Sequence, residues 1–160
     1  MAIRKVFYSF HFDNDVMRVQ QIRQMGVVEG DEPVAKTAWE EVRKGGNAAI
    51  EKWIDSTLKS CSCLVVLIGT DTHTRPWVRH EVKKAWEGGK GIFGIHIHNL
   101  ACPRNGKSTK GTNPLSSVTF KSRTGAVITP QVYDPPAHDA YNTIAKNLSG
   151  WVEAAIRQAS

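Results

Sequence analysis

The feature that most constrains the fold is an unbroken apolar run at residues 63–69, which reads Cys-Leu-Val-Val-Leu-Ile-Gly. A strand with one face in water alternates polar and apolar side chains, whereas this run has no polar side chain on either face. Such a strand is typical of the centre of a parallel sheet that helices cover on both sides. The run is far shorter than the roughly 20 residues that span a bilayer. It therefore predicts the central strand of an α/β domain.

Helix and strand patterns alternate along the rest of the chain. Strands are expected at 3–10, 26–28, 63–69 and 92–98, with a short last strand from 118–120 or 126–129. Helices are expected from Asp13-Asn14-Asp15 onward, from an Asn47 cap to 58, over 76–87 and over 141–156. Between these elements, 29–36 reads as an irregular loop, and 99–117 as a long connection that is either mobile or functional.

This alternation predicts a doubly wound, mainly parallel sheet of flavodoxin-like order, with helices on both faces. In such sheets, ligands bind beyond the carboxyl ends of the strands, at the point where the strand order reverses. Here that point lies between the first and the central strand, which deliver residues 9–12 and 69–71 to it. Because 160 residues have the size of one domain, we expect a single domain over 1–160.

Charge and cysteine content limit the partners and the compartment. Lys and Arg number 21 against 15 Asp and Glu, and the resulting net charge of +6 suits an anionic partner. The basic residues are dispersed rather than collected in a helical stripe, so we expect no nucleic-acid groove. Three cysteines, an odd number, and a start without a signal peptide are typical of a cytoplasmic protein. We expect no membrane association.

Two further patterns resemble ligand sites but lack the context that such sites need. Residues 101–108 fit a permissive phosphate-loop pattern, yet 109–114 cannot begin the helix whose amides hold the phosphates in a true loop. His96 and His98 share one face of a strand, but no carboxylate or cysteine accompanies them at ligand spacing. We therefore expect neither a nucleoside triphosphatase nor a metal site.

The helix over 77–87 places a carboxylate near the expected ligand-binding edge. Its core stripe is formed by Val78, Val82, Ala85 and Trp86. At about 100° per residue, Glu81 falls on the flank of this stripe, one turn beyond Trp77. A partly desolvated carboxylate suits an oxocarbenium-like centre or the diol of a ribose. A solvated glutamate paired with Lys84 or a nearby arginine is the alternative, and helical geometry alone favours it.

Five segments, taken in order, carry a resemblance to a known family. They are Lys5-Val-Phe-Tyr-Ser-Phe-His-Phe12, Trp39-Glu40, Val65-Val-Leu-Ile-Gly69 followed by Arg75-Pro-Trp-Val-Arg-His-Glu81, Gly94-Ile-His-Ile-His-Asn99, and Lys110-Gly-Thr-Asn-Pro114. Together they resemble the bacterial TIR-like domains, and among these the TIR-like signalling proteins of the Thoeris anti-phage system. The resemblance covers nearly the whole chain and weakens after Pro114. Many TIR domains carry a serine just before the tryptophan of the helix motif, where this chain has Arg75-Pro76.

The resemblance implies a flavodoxin-like TIR fold and an enzyme that cleaves the nicotinamide–ribose bond of NAD, with Glu81 as the catalytic residue. Glu81 would hold the ribose hydroxyls and stabilise the oxocarbenium-like transition state. The expected substrate-binding residues are Ser9, Phe10, His11, Trp39, Asp71 and Trp77. NAD is then a substrate, and no cofactor is expected.

In this family, phage infection triggers production of a cyclic ADP-ribose-type signal that activates a separate effector protein. The activity of the family can depend on self-assembly or on the trigger, so self-assembly is among the expected contacts. Whether water or a base attacks the ribosyl carbon stays open. The alternative function is a non-catalytic TIR-like module that works through protein contacts or binds a nucleotide without turning it over.

Overall fold

A computed structural model of the chain describes residues 4–25, 29–30, 44–101 and 106–159. Strands and helices alternate along these ranges, as the sequence predicts. The α-helices are α1 (Phe12–Gln24), α2 (Gly46–Lys59), α3 (Pro76–Glu87) and α4 (Ala140–Ala159). The strands are β1 (Lys5–Ser9), β2 (Glu29–Gly30), β3 (Cys63–Ile68), β4 (Gly91–His96), β5 (Phe120–Lys121), β6 (Val127–Ile128) and β7 (Val132–Tyr133). Two 3₁₀ turns, Thr72–Thr74 and Pro114–Ser117, complete the described elements.

The main sheet has the order β2-β1-β3-β4-β7, and every neighbouring pair of strands in it is parallel. This is the predicted flavodoxin-like order, with the run at 63–68 in the middle. All six residues of β3 are buried, because helices cover both faces of the strand. The register pairs Ser9 with Val66, and Ile68 with His96. The carboxyl ends of β1, β3 and β4 therefore lie side by side.

Side chains alternate between two cores along β1. Val6 and Tyr8 pack with residues of α1 and α4, such as Val19 and Leu148; we call this side of the sheet the α4 face. Phe7 packs with residues of α2 and α3 instead, such as Val82, on what we call the α3 face. Since successive strand residues point to opposite faces, Ser9 shares the α3 face with Phe7.

The predicted last strand is wrong. Phe120–Lys121 and Val127–Ile128 pair with each other as an antiparallel hairpin separate from the main sheet. The hairpin turn carries Gly125 at φ +87°, and the Ser122 amide donates to the Ala126 carbonyl across it. The fifth strand of the main sheet is Val132–Tyr133. Two residues are too few to show the alternation by which a strand is recognised.

Two other boundaries also differ from the sequence prediction. Residues 26–28 lie outside the described ranges, and Glu29–Gly30, expected in a loop, form a strand parallel to β1. This edge strand consists of two paired residues, so it needs no apolar pattern. Helix α2 begins at Gly46 with Gly45 at its cap, so Asn47 stands inside the helix rather than capping it. Within the described residues, no helix is both long and apolar enough to cross a membrane.

The packing of α4 on the sheet gives a stability prediction. A Cβ at Gly91 would lie 2.7 Å from backbone atoms of Ala155 and Ile156 in α4. We expect Gly91→Ala to lower the free energy of unfolding by about 1–3 kcal/mol, measured by urea denaturation. Gly150→Ala is the control, because a Cβ there meets nothing within 4 Å and alanine favours a helix by up to about 1 kcal/mol. A Gly91→Ala variant as stable as the wild type would contradict this packing.

Candidate active site

The candidate site lies where β1 and β3 end, the point at which the strand order reverses. Ser9 is the last residue of β1 and has no exposed surface. Its hydroxyl oxygen finds no hydrogen-bond partner among the residues that the structure describes. A buried hydroxyl without a partner is costly, so Ser9 has bonding capacity left for a ligand. The side chain points to the α3 face, the face on which Glu81 lies.

Glu81 is more deeply buried than the sequence predicts. It keeps only 9% of its surface exposed and lies on the inward side of α3 with Val78, Val82 and Ala85. The alternative of a solvated glutamate is therefore wrong. A helical wheel counts contacts with the sheet alone, whereas α3 also packs against the 3₁₀ turn Pro114–Ser117. Charge interactions are stronger at such a position than at the surface, because less water screens them.

The entry into α3 is fixed by a short hydrogen-bonded turn. The buried hydroxyl of Thr72 accepts from the Gly69 amide at 2.8 Å, directly after β3. Pro76 then occupies the first turn of α3, where its missing N–H is not needed. Trp77 is half-buried, with its ring centroid 5.2 Å from that of His80 in an edge-to-face contact. Trp77 and Glu81 therefore stand one turn apart on a firmly held helix.

The far end of α3 is held by the β5–β6 hairpin. The Trp86 indole nitrogen donates to the Lys121 carbonyl at 3.0 Å. The Trp86 ring also packs edge-to-face on Phe120, with centroids 5.3 Å apart. The hairpin that is not part of the main sheet thus supports the helix that carries Glu81.

Asp15 lies under the site, a position that no sequence pattern predicts. The residue is 1% exposed, and the Arg18 guanidinium donates to its Oδ1 at 3.0 Å. A Cβ on Gly69 would fall 2.7 Å from the Asp15 carboxyl carbon, so only glycine fits above it. Burial raises the pKa of Asp15, and the opposing charges of Arg18 and, less strongly, His11 offset part of this rise. The Asp13-Asn14-Asp15 triplet indicates a helix start, and no pattern singles out Asp15 within it.

The structure brings some of the predicted site residues together and separates others. His11 is 6% exposed, and its carbonyl accepts from the Asp15 amide. Asp71 is exposed, and its charge acts on Asp15, which places it at the same edge. Phe10 is half-buried and packs against the core of the α4 face, away from α3. Trp39 lies outside the described residues.

The long connection over 99–117 is attached across the strand ends. We call its part 106–113 the strap. The Thr70 hydroxyl donates to the Thr109 carbonyl at 2.6 Å. A Cβ on Gly111 would lie 2.8 Å from the Thr70 carbonyl oxygen, so the strap backbone rests directly on the turn after β3. These contacts hold the strap in place, so they favour a functional connection over a mobile one.

Potential metal ligands do not gather at the site. Across the described parts of the chain, no group of three or more His, Cys, Asp or Glu side chains is arranged to hold a metal ion.

Two comparisons with known proteins bear on this site. A family model described as the TIR-like domain of the Thoeris protein ThsB matches residues 7–101, a range that contains Ser9, Asp15, Gly69 and Glu81. A protein of Bacillus cereus (strain MSX-D12) with the provisional name cyclic ADP-D-ribose synthase ThsB1 is 32% identical over 123 residues, which make up 74% of this chain. The match spans 64% of that relative, a little under two thirds of its length.

The buried Asp15 predicts a pH dependence of stability. Because its pKa is raised in the folded state, the folded chain binds more protons than the unfolded chain just above pH 4. Stability from this group is present at low pH and is lost as pH rises through the folded pKa, by at most about 1.4 kcal/mol per pH unit. Unfolding free energies of the wild type and of Asp15→Asn are measured by urea denaturation from pH 4 to 7. We expect the wild-type value minus the variant value to fall as pH rises. A difference that rises with pH would refute the assignment.

Proposed function

The chain belongs to the TIR-like domain family of the Thoeris ThsB proteins, and we propose on this basis that it is an NAD-consuming enzyme. It cleaves the bond between nicotinamide and ribose and produces a cyclic ADP-ribose-type signal. The observation that carries the proposal is the burial of Glu81 on the same side of the sheet as the Ser9 hydroxyl, which has no partner among the described residues. The provisional name of the Bacillus cereus relative supports the same chemistry.

Glu81 acts on the bond that breaks. The electron pair of the C1′–N bond leaves with nicotinamide, and positive charge develops on the ribosyl carbon and ring oxygen. A carboxylate screened from water stabilises this charge more in the transition state than in the bound substrate, which lowers the barrier. Its oxygens also accept hydrogen bonds from the ribose hydroxyls and so fix the sugar.

The fate of the ribosyl cation decides the product. If an adenine nitrogen of the same molecule attacks C1′, the ring closes and the product is NAD less nicotinamide. If water attacks C1′ and releases a proton, the product is linear ADP-ribose. The buried setting of Ser9 and Glu81 favours ring closure, because a site that excludes water suppresses hydrolysis.

Six further residues are proposed to bind the substrate. They are Ser9, Phe10, His11, Trp39, Asp71 and Trp77. The half-buried ring of Trp77 offers a flat apolar face one turn from Glu81, which suits nicotinamide. The Ser9 hydroxyl and the buried His11 supply polar contacts at the end of β1. Asp15 touches no substrate in this scheme and positions the turn at Gly69.

The proposed cellular role follows from the product. A small cyclic nucleotide made in the cytoplasm reaches a separate effector protein by diffusion, so this chain and the effector need not touch. NAD is the substrate rather than a resident cofactor. Self-assembly of the chain and a phage-derived trigger control when the signal is made.

Nicotinamide release tests the catalytic assignment. Concentrated protein, alone and with extract of phage-infected cells, is incubated with NAD, and nicotinamide is followed by chromatography. We expect Glu81→Gln to reduce the release rate by a factor of about 100 or more, the usual effect of removing a group that stabilises transition-state charge. Glu87→Gln is the matched control, since Glu87 is an exposed glutamate on the same helix, and it should keep the wild-type rate.

Two outcomes would contradict the proposal. Equal release by the wild type and Glu81→Gln would remove Glu81 from the chemistry. Binding of NAD without release under every condition, including infected-cell extract, would favour the non-catalytic module instead.

A further inference from the structure

A second group of polar side chains lies at the end of β4. His96 is the last residue of this strand and is 6% exposed. His98 follows two residues later, and the two imidazole rings stand edge-to-face with centroids 5.9 Å apart. Phe93, Ile95 and Ile97 pack into the core of the α4 face. By alternation, His96 therefore points to the α3 face, as Ser9 does, and the His98 ring in the following turn lies beside it.

Three buried polar atoms in this group have no partner among the residues that the structure describes. They are the Nδ1 atoms of His96 and His98 and the Oγ atom of Ser108, which meet no hydrogen-bonding atom in the described parts of the chain. Ser108 is held close by, because its amide donates to the His98 carbonyl at 2.9 Å. Folded chains rarely leave such atoms unpaired, since each loses its bonds to water on burial. Three of them at one strand end indicate a place that receives a polar group from outside.

Charges of both signs surround the group. Lys110 of the strap pairs with Asp134, which follows β7, at 2.7 Å on the rim. Burial lowers the pKa of both histidines; the charge of Asp134 opposes this, and the charge of Lys110 adds to it. Arg18 adds a second positive charge that acts on His98. The nearest carboxylate, Asp134, is thus already paired with Lys110, and the described residues bring no third metal ligand to the two imidazoles.

The strand register places this group at a useful distance from Ser9. Ser9 pairs with Val66 on β3, and Ile68 pairs with His96 on β4. The two side chains are thus separated by two strand spacings of about 4.8 Å and two residues of about 3.3 Å, roughly 12 Å in all. In NAD the diphosphate is joined to the scissile ribose through C5′. A dinucleotide whose ribose lies at Ser9 and Glu81 can reach His96 along the strand ends.

The geometry points to a diphosphate subsite formed by His96, His98 and Ser108, with Lys110 at its rim. The imidazole N–H groups and the Ser108 hydroxyl donate to phosphate oxygens, and the Lys110 ammonium offsets their charge. This inference rests on the proposed NAD chemistry for the identity of the nucleotide. The anion site itself rests on the contacts above.

Binding measurements test the subsite without relying on turnover. Titration calorimetry on the Glu81→Gln protein uses three probes: ADP-ribose, inorganic pyrophosphate and nicotinamide riboside, which has no phosphate. We expect His96→Gln, and Ser108→Ala as the milder variant, to weaken ADP-ribose and pyrophosphate about tenfold or more. Nicotinamide riboside binding should change less than twofold. His138→Gln, which alters an exposed histidine beyond β7, is the matched control and should leave all three unchanged.

A second readout needs no substitution at all. Histidine resonances of the wild-type chain are followed by NMR through a pH titration, with and without pyrophosphate. An anion at the subsite stabilises the imidazolium forms, so the pKa of His96 and of His98 should rise when pyrophosphate is added. The charges of Asp134, Lys110 and Arg18 are present in both titrations and therefore do not produce this rise. Unchanged histidine titrations at saturating pyrophosphate would overturn the subsite.

The remaining outcomes separate this inference from the proposed function. If the variants lose pyrophosphate binding but the wild type never releases nicotinamide, the proposed enzyme activity is wrong and the anion site stands. If the wild type releases nicotinamide and both variants keep the parent affinity for ADP-ribose, the enzyme activity stands and the anion site is wrong. Equal weakening of all three probes, or no binding of pyrophosphate and ADP-ribose by the parent protein, would overturn the subsite. So would a Zn²⁺-dependent rise in melting temperature that His96→Gln abolishes while pyrophosphate has no effect.

Discussion

The ion pair between Asp15 and Arg18 holds together the edge of the sheet on which every proposed function depends. Both side chains are almost fully buried, with 2% and 4% of their surface exposed. Arg18 also donates to the Leu100 carbonyl and to the Gly106 carbonyl, each at 2.8 Å. One side chain of α1 thus fixes the turn after β4 and the start of the strap. Truncating either side chain would leave the polar atoms of the other buried without this partner, which is costly.

Because strand side chains alternate, the α4 face of the sheet holds only core packing, and the α3 face carries the proposed functional residues. The side chains that β1 and β4, with the residue after β4, place on the α4 face are apolar or aromatic, and helix α4 covers them. They are Val6, Tyr8, Phe93, Ile95 and Ile97. On the α3 face, the same strands end in Ser9 and His96. Polar atoms collect only where the strands stop, because farther down the sheet they would be buried among aliphatic side chains without partners. The position of the site is therefore a direct result of the parallel topology.

Long elements with strong patterns were predictable from the sequence, and short or tertiary features were not. Continuous or periodic apolar residues predict the strand β3 and the helices α3 and α4. The two-residue strands β2 and β7 have no period, and only their place beside β1 and β4 defines them. Glu81 was identified as a candidate, yet its depth depends on contacts with a turn at 114–117 that a helical wheel omits. Asp15 was missed, and the His96–His98 pair was noticed without its neighbours Ser108 and Asp134, because both clusters are assembled from segments far apart in sequence.

The close approach of Gly69 to Asp15 has a consequence for how this family can vary. The space above the Asp15 carboxylate is filled by the backbone of position 69, with no room for a methyl group. The two positions are 54 residues apart and lie on different elements, so drift at one is permitted only together with change at the other. A side chain at position 69 would collide with the carboxylate at position 15, the partner that holds Arg18 over the strand ends. Substitution at these sites is therefore expected in pairs rather than singly.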